Sequence, residues 1–127
     1  MKAIFTVDDD ALITQVLKFQ LSKYFDSSEM IIESLNEPEA SFALIEDVRS
    51  YGVEPVILIV DYQMPKINGA QLIRQLKTKY PEIKYIMLSG QANDVVVEEL
   101  KKEGLINAFI HKPWDESELI RIIKLNL

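Results

Sequence analysis

Cysteine is absent from this chain of 127 residues, which excludes a disulfide framework and any thiolate metal site and fits a cytoplasmic protein. Glycine is scarce, with 4 residues, and none follows the first apolar stretch, so no glycine-rich loop is available there to cradle a nucleotide or flavin phosphate. A surplus of positive charge is missing as well. The chain has 14 Lys and Arg against 20 Asp and Glu, a net charge of -6, with the basic residues scattered, which argues against direct nucleic-acid binding or an anionic membrane as partner. No apolar run approaches the roughly 18 residues needed to span a bilayer, and the opening residues lack the pattern of a signal peptide. Repeats, low-complexity segments and flexible linkers are also lacking. The length suits one domain, able to bury about two-thirds of its unfolded surface.

The strongest feature present is the run Val56-Ile57-Leu58-Ile59-Val60, followed by Asp61. Five aliphatic residues, four of them β-branched, predict a strand buried on both faces, as in the centre of a parallel sheet. In open α/β sheets ligands bind outside the C-terminal ends of the strands, which is where Asp61 falls. A lone acid in such a place is ordinarily a turn cap, so its neighbours decide its meaning.

Alternating elements predict those neighbours. Residues 2–7 form a strand ending in Asp8-Asp9-Asp10, and residues 11–24 a helix with Leu12, Ile13, Val16, Leu17, Phe19, Gln20 and Leu21 at helical spacing. Strand 30–34 precedes helix 37–49, whose inner face draws on Ala40, Ala43, Leu44 and Val48. The Asn36-Glu37-Pro38 entry fits an N-cap with proline in the first turn. After the loop 50–55 and the central strand, Asn68-Gly69 can cap and start helix 70–80, which Pro81 ends. Strand 84–88 ends in Ser89-Gly90, a pair that turns also use. Helix 93–103 closes at Gly104. Strand 107–111 leads into Lys112-Pro113-Trp114, and helix 115–125 follows. Five strand–helix repeats imply an α/β fold of the flavodoxin-like (βα)5 type, a three-layer sandwich around a five-stranded parallel sheet of order 2-1-3-4-5.

In a parallel sheet all strand ends point the same way, so the acids after strand 1, Asp61 after strand 3, Ser89 after strand 4 and Lys112 after strand 5 should converge on one rim. Like charges packed together repel unless a cation compensates, and clustered carboxylates are suited to a hard divalent ion such as Mg²⁺. An Asp carboxylate can attack phosphorus and form an aspartyl-phosphate. Charge on the transferring group then needs cations and donors, which Lys112, the Ser89 hydroxyl and backbone N–H groups near Tyr62, Gln63 and Gly90 can supply. Asp10, third in the acid run, reads as a helix cap. His111, the only histidine, points to the side opposite Lys112 by strand alternation and reads as structural or surface.

The segments Ile4-Phe5-Thr6-Val7-Asp8-Asp9, Val60-Asp61-Tyr62-Gln63-Met64-Pro65 with Asn68-Gly69, Met87-Leu88-Ser89-Gly90 and Ala108-Phe109-Ile110-His111-Lys112-Pro113 together resemble the receiver domain of two-component response regulators over nearly the whole chain. The resemblance implies that Asp61 is the phosphoacceptor and that Asp8 and Asp9, with Asp61 and the backbone carbonyl of Gln63, hold Mg²⁺. By the same resemblance Ser89 is the switch hydroxyl, Phe109 the aromatic switch, and Lys112 the phosphate-binding lysine, joined to Pro113 by a cis bond. It implies a signalling phosphoacceptor rather than a classical enzyme, served by a sensor histidine kinase or histidine phosphotransfer protein. The strand 4 to helix 5 face would control an output domain or partner, and a phosphorylation-dependent dimer is compatible with it. Serine stands at 89 where threonine is commoner, and phenylalanine at 109 where tyrosine is commoner. Gln63 and Gln91 fall at variable positions beside the phosphate, which leaves its lifetime undetermined. The segment from Lys112 to Leu119 resembles receivers attached to cyclic-di-GMP-related or other enzymatic output modules, although Trp114 has an equally good reading as a packing residue. Residues 1–127 are expected to be one receiver domain, standing alone or cut from a longer regulator.

The rival from another class is a haloacid-dehalogenase-like phosphatase, with Asp8 as nucleophile and Ser89 and Lys112 in support. It leaves Asp61 without a role, and Ala11 stands where that family has threonine or valine. A pseudo-receiver that keeps the fold without phosphorylation conflicts with the complete set of acids, hydroxyl and lysine. A flavodoxin-type protein would need the phosphate loop that is missing after strand 1.

Overall fold

In the computed structural model, residues 1–90 and 94–127 are described, Asp94 by its backbone alone. The predicted positions Gln91 and Asn93 lie outside the described residues. The strands are β1 (Lys2–Val7), β2 (Met30–Leu35), β3 (Glu54–Asp61), β4 (Lys84–Ser89) and β5 (Ala108–His111). The helices are α1 (Ala11–Ser22), α2 (Ser41–Ser50), α3 (Gly69–Lys79), α4 (Asp94–Lys102) and α5 (Glu116–Leu125). All strand pairs are parallel, and the sheet order is β2-β1-β3-β4-β5, as the alternation predicted.

Two apolar layers enclose the sheet. Side chains alternate along a strand, so Phe5, Val7, Leu58, Val60, Tyr85 and Met87 point to one face, where they meet Ile45 of α2, Ile73 and Leu76 of α3, and Val97 and Leu100 of α4. Ile4, Ile57, Ile59, Ile86, Leu88 and Ile110 point to the other, against Leu17 and Leu21 of α1 and Leu119 and Ile123 of α5. The central strand β3 is buried from Ile57 to Asp61, as its unbroken aliphatic run required.

Local departures from the sequence reading have simple causes. Asn36 does not cap a helix. Its amide donates to the Asp8 carbonyl at 2.9 Å and to Thr14 Oγ1 at 3.0 Å, and a short 3-10 turn, Pro38–Ala40, leads into α2. On α2 the predicted Leu44 and Val48 pack against the core, but the fully buried aliphatic residue is Ile45, and Ala43 faces solvent. On α1 the apolar residues divide between two faces. Leu17 and Leu21 are buried, while Leu12, Val16 and Phe19 are exposed at 66%, 37% and 68%. Gly104 takes φ +70° at the end of α4, the left-handed conformation its closing position predicted.

The loop after β3 is pinned to α3 by Gly69. Its N–H donates to the Tyr62 carbonyl at 2.7 Å, and a Cβ at this position would lie 2.4 Å from the Asp61 carbonyl oxygen. Asn68 caps the helix reciprocally with Gln71: the Gln71 N–H reaches Asn68 Oδ1 at 2.8 Å, and the Asn68 N–H reaches Gln71 Oε1 at 3.0 Å. Gly69→Ala should therefore cost about 1–3 kcal/mol through overpacking against backbone, and Asn68→Ala about 1 kcal/mol through the lost cap. Urea unfolding checks both, and a Gly69→Ala midpoint equal to wild type would contradict the close-approach argument.

Candidate functional site

The predicted residues converge. Asp8, Asp9, Asp10, Asp61, Gln63, Ser89, Gly90 and Lys112 line one open cleft of about 320 Å³ at the C-terminal ends of the strands. Phe109 lies outside it, half-buried on the α2–α3–α4 side of the sheet, with its ring edge-on to His111 at a centroid distance of 4.7 Å. His111 is exposed, the surface alternative of its sequence reading.

Three carboxylates and one ammonium dominate the cleft. An oxygen from each of Asp8, Asp9 and Asp61 can be chosen so that all lie within 4.8 Å of one another. Asp8 and Asp61 are nearly sequestered from solvent, at 1% and 4% exposure, while Asp9 is exposed. Lys112 joins the two buried acids, its Nζ lying 2.8 Å from Asp61 Oδ1 and 3.0 Å from Asp8 Oδ2. The Asp10 N–H donates to Asp8 Oδ1 at 2.9 Å, and the Gln63 N–H bonds the Asp61 carboxylate. Asp10 itself caps α1, accepting from the Leu12 N–H at 2.9 Å, as its position predicted.

One expected donor is already engaged. The Tyr62 N–H, placed by the sequence reading among the phosphate-binding groups, donates to the Leu88 carbonyl at 2.9 Å and so continues the β3–β4 ladder. The loop turns into the cleft one residue later, at Gln63. Lys112 is fixed from behind in a similar way, its N–H donating to the Ser89 carbonyl at 3.0 Å and its bond to Pro113 being cis. Trp114 packs beside α1, and its indole N–H donates to Gln20 Oε1 at 2.7 Å, which matches the packing reading.

Sequence reasoning missed a polar brace under the site. Thr14 is buried on α1, donates to the Ala11 carbonyl at 3.1 Å and accepts from Asn36, while Asn36 also holds the Asp8 carbonyl. The available signal was a threonine on the helix face that otherwise carries Leu17 and Leu21.

Burial raises the carboxyl groups of Asp8 and Asp61 above their ordinary value of 3.8. For Asp61 the Lys112 ammonium and the Gln63 N–H offset this in part, and the Asp9 charge adds to it. For Asp8 the Asp10 N–H and Lys112 oppose burial, and Asp61 reinforces it. Burial works against the Lys112 ammonium, but its bonds to Asp61 and Asp8 outweigh that cost and raise its pKa. The three clustered carboxylates of Asp8, Asp9 and Asp61 outnumber the one ammonium, and when ionised they leave the cluster two negative charges in excess, with Asp10 at the cleft's edge adding to them. The oxygen donors, their spacing and this remainder fit a hard divalent cation such as Mg²⁺.

A group whose pKa is raised on folding contributes stability below its unfolded value and loses it as pH rises through the folded value. Ionised Asp8 and Asp61 therefore weaken the Mg²⁺-free protein at neutral pH. Asp61→Asn should raise the Tm in chelator at pH 7, and the gain should fade as the pH falls toward 3.8. Calorimetry at several pH values checks this, and a lower Tm for the variant at pH 7 would contradict it. Added Mg²⁺ should raise the Tm of wild type at pH 7 and leave Asp9→Ala unchanged; an equal rise in both would remove Asp9 from the ion's ligands.

Comparison with known proteins gives one consistent answer. The profile described as the response regulator receiver domain matches residues 4–124. The chemotaxis protein CheY of Thermotoga maritima is 29% identical over 122 residues, covering 96% of this chain and 94% of that protein. The transcriptional regulatory protein DegU of Brevibacillus brevis is 28% identical over 122 residues, covering 96% of this chain and 48% of that protein. The chain spans about half or less of the length of several other curated relatives. The chemotaxis protein CheY4 of Vibrio cholerae superposes with a TM-score of 0.83 at 19% identity, covering 100% of this chain and 99% of that one. With the sheet order, the acid-lined rim and a profile match across almost its whole length, this chain belongs to the response regulator receiver domain family.

Proposed function

We propose that Asp61 accepts a phosphoryl group from the phosphohistidine of a sensor histidine kinase or histidine phosphotransfer protein. The observation that carries this reading is the bridge from Lys112 to Asp61 and Asp8, 2.8 Å and 3.0 Å long, at the bottom of an open acidic cleft. In the transfer, an Asp61 oxygen forms a bond to phosphorus as the N–P bond of the donor breaks, and the donor imidazole keeps the electron pair. Asp8, Asp9, Asp61 and the Gln63 backbone carbonyl would hold Mg²⁺, which when bound would neutralise charge on the phosphoryl oxygens. Lys112 binds one of these oxygens, and the Ser89 hydroxyl with the Gln63 and Gly90 N–H groups supplies neutral donors. Ionised Asp61 needs no general base to attack; burial raises its pKa, and the Lys112 ammonium beside it opposes that rise and favours the charged form.

The exposed stripe Leu12, Val16 and Phe19 starts beside this rim, and Val16 shares an apolar groove with Ile13, Trp114 and Lys112. It is the surface on which the donor protein rests while its phosphohistidine reaches Asp61. After transfer, Ser89 moves toward the phosphate, Phe109 follows, and the β4–α5 face shifts between two populations. That face controls an output module or partner protein, in the cytoplasm. Among the described residues no helix is long and apolar enough to cross a membrane.

Intact mass after incubation with Mg²⁺ and acetyl phosphate tests the acceptor. Wild type should gain about 80 Da, one phosphoryl group, and Asp61→Asn none. An equal gain in the variant would move the acceptor to another carboxylate. Lys112→Ala should keep partial labelling and lose the phosphate-dependent change at Phe109. Phe19→Glu should slow transfer from a phosphorylated donor protein at least tenfold and leave acetyl phosphate labelling unchanged, whereas unchanged transfer would exclude the α1 stripe as the docking surface.

A further inference from the structure

The chain's single histidine stands between the two residues of the proposed switch. Side chains on neighbouring parallel strands share a face when they are in register, and Ser89 pairs with His111 just as Met87 pairs with Phe109. His111 and Phe109 are two residues apart on β5 and so lie on one face as well. Their rings meet edge to face at 77° with centroids 4.7 Å apart, an arrangement that aromatic quadrupoles favour. The strand end is also coupled through the backbone, since the Lys112 N–H donates to the Ser89 carbonyl at 3.0 Å. β5 is an edge strand, and the imidazole is exposed beside a half-buried phenyl ring.

We infer that His111 is a latch on Phe109, a positioning residue that holds the phenyl ring in its present orientation and must release it when the switch turns. The inference rests on the reading of Ser89 and Phe109 as the switch pair. Any displacement of Ser89 toward a phosphoryl group pulls on the strand end that carries His111. The ring contact opposes the movement of Phe109 until that happens. His111 thereby sets how much of the active arrangement exists before phosphorylation. An edge-to-face pair of this kind changes such a population by between about twofold and tenfold.

The test is NMR of the full chain with ¹³C-labelled phenylalanine rings and Phe109 assigned, in Mg²⁺ without phosphodonor. Relaxation dispersion then measures the minor population at Phe109 in wild type, His111→Leu and His111→Phe. Leucine keeps an apolar strand residue without a ring, and phenylalanine restores the ring contact without imidazole. The minor population should rise two- to tenfold in His111→Leu and return toward wild type in His111→Phe, while acetyl phosphate labelling of Asp61 stays intact in both. An unchanged population in His111→Leu, or equal rises in both variants, would overturn the latch. Failure of Asp61 to label in any protein would instead overturn the phosphoacceptor reading, because the populations at Phe109 are measured without phosphate.

Discussion

The ammonium of Lys112, shared between the buried carboxylates of Asp8 and Asp61, is the interaction on which the rest of the rim depends. Removing two carboxylates from water is costly, and one cation placed between them offsets only part of the cost, which is why both acids hold their protons more tightly than usual. The protein is thus built with an electrostatic deficit at one end. A divalent ion would relieve it, and on the proposed reading an arriving phosphoryl group would meet cations assembled around Asp61. A fully neutralised cluster would be more stable and less receptive.

The parallel sheet makes this arrangement from residues far apart in the chain. Adjacent strands β1 and β3 deliver Asp8 and Asp61 side by side, and β5, two strands from β3, brings Lys112 across. Strand alternation then divides the labour. Asp8, Asp61 and Lys112 follow the parity of Ile4, Ile59 and Ile110, which face α1 and α5, whereas Ser89, Phe109 and His111 follow that of Met87, which faces the other helices. The two buried carboxylates and Lys112 thus point to one side of the sheet and Ser89, Phe109 and His111 to the other, and the two sets meet where the strands end. A change at the rim can reach the α4 side through Ser89 and its register partner without repacking the core beneath β3.

Much of this was legible in the residues themselves. The unbroken run from Val56 to Val60 could only be a central strand, and strict alternation of elements then fixed where Asp8, Asp61, Ser89 and Lys112 would meet. What escaped the sequence depended on geometry between elements. Asn36 resembles a helix cap in one dimension, yet its amide reaches across to the end of β1. Tyr62 looks as available as Gln63, but the ladder with β4 runs one residue further than the aliphatic run indicates and takes its N–H. Helical spacing of the apolar residues of α1 did not show which of them reach the sheet, and Leu12, Val16 and Phe19 remain outside. The contact of Phe109 with His111 was equally invisible, since alternation gives the shared face but no ring orientation.

The central claim is that the buried, lysine-bridged Asp61 is the nucleophile, in preference to the neighbouring Asp8 or Asp9. Reduction of the acetyl phosphate-treated protein with borohydride converts an aspartyl-phosphate to homoserine, and peptide sequencing by mass spectrometry then locates it. The account predicts homoserine at position 61 alone, formed only when Mg²⁺ is present. Homoserine at position 8 or 9 would contradict it and return the site to a phosphatase-like chemistry.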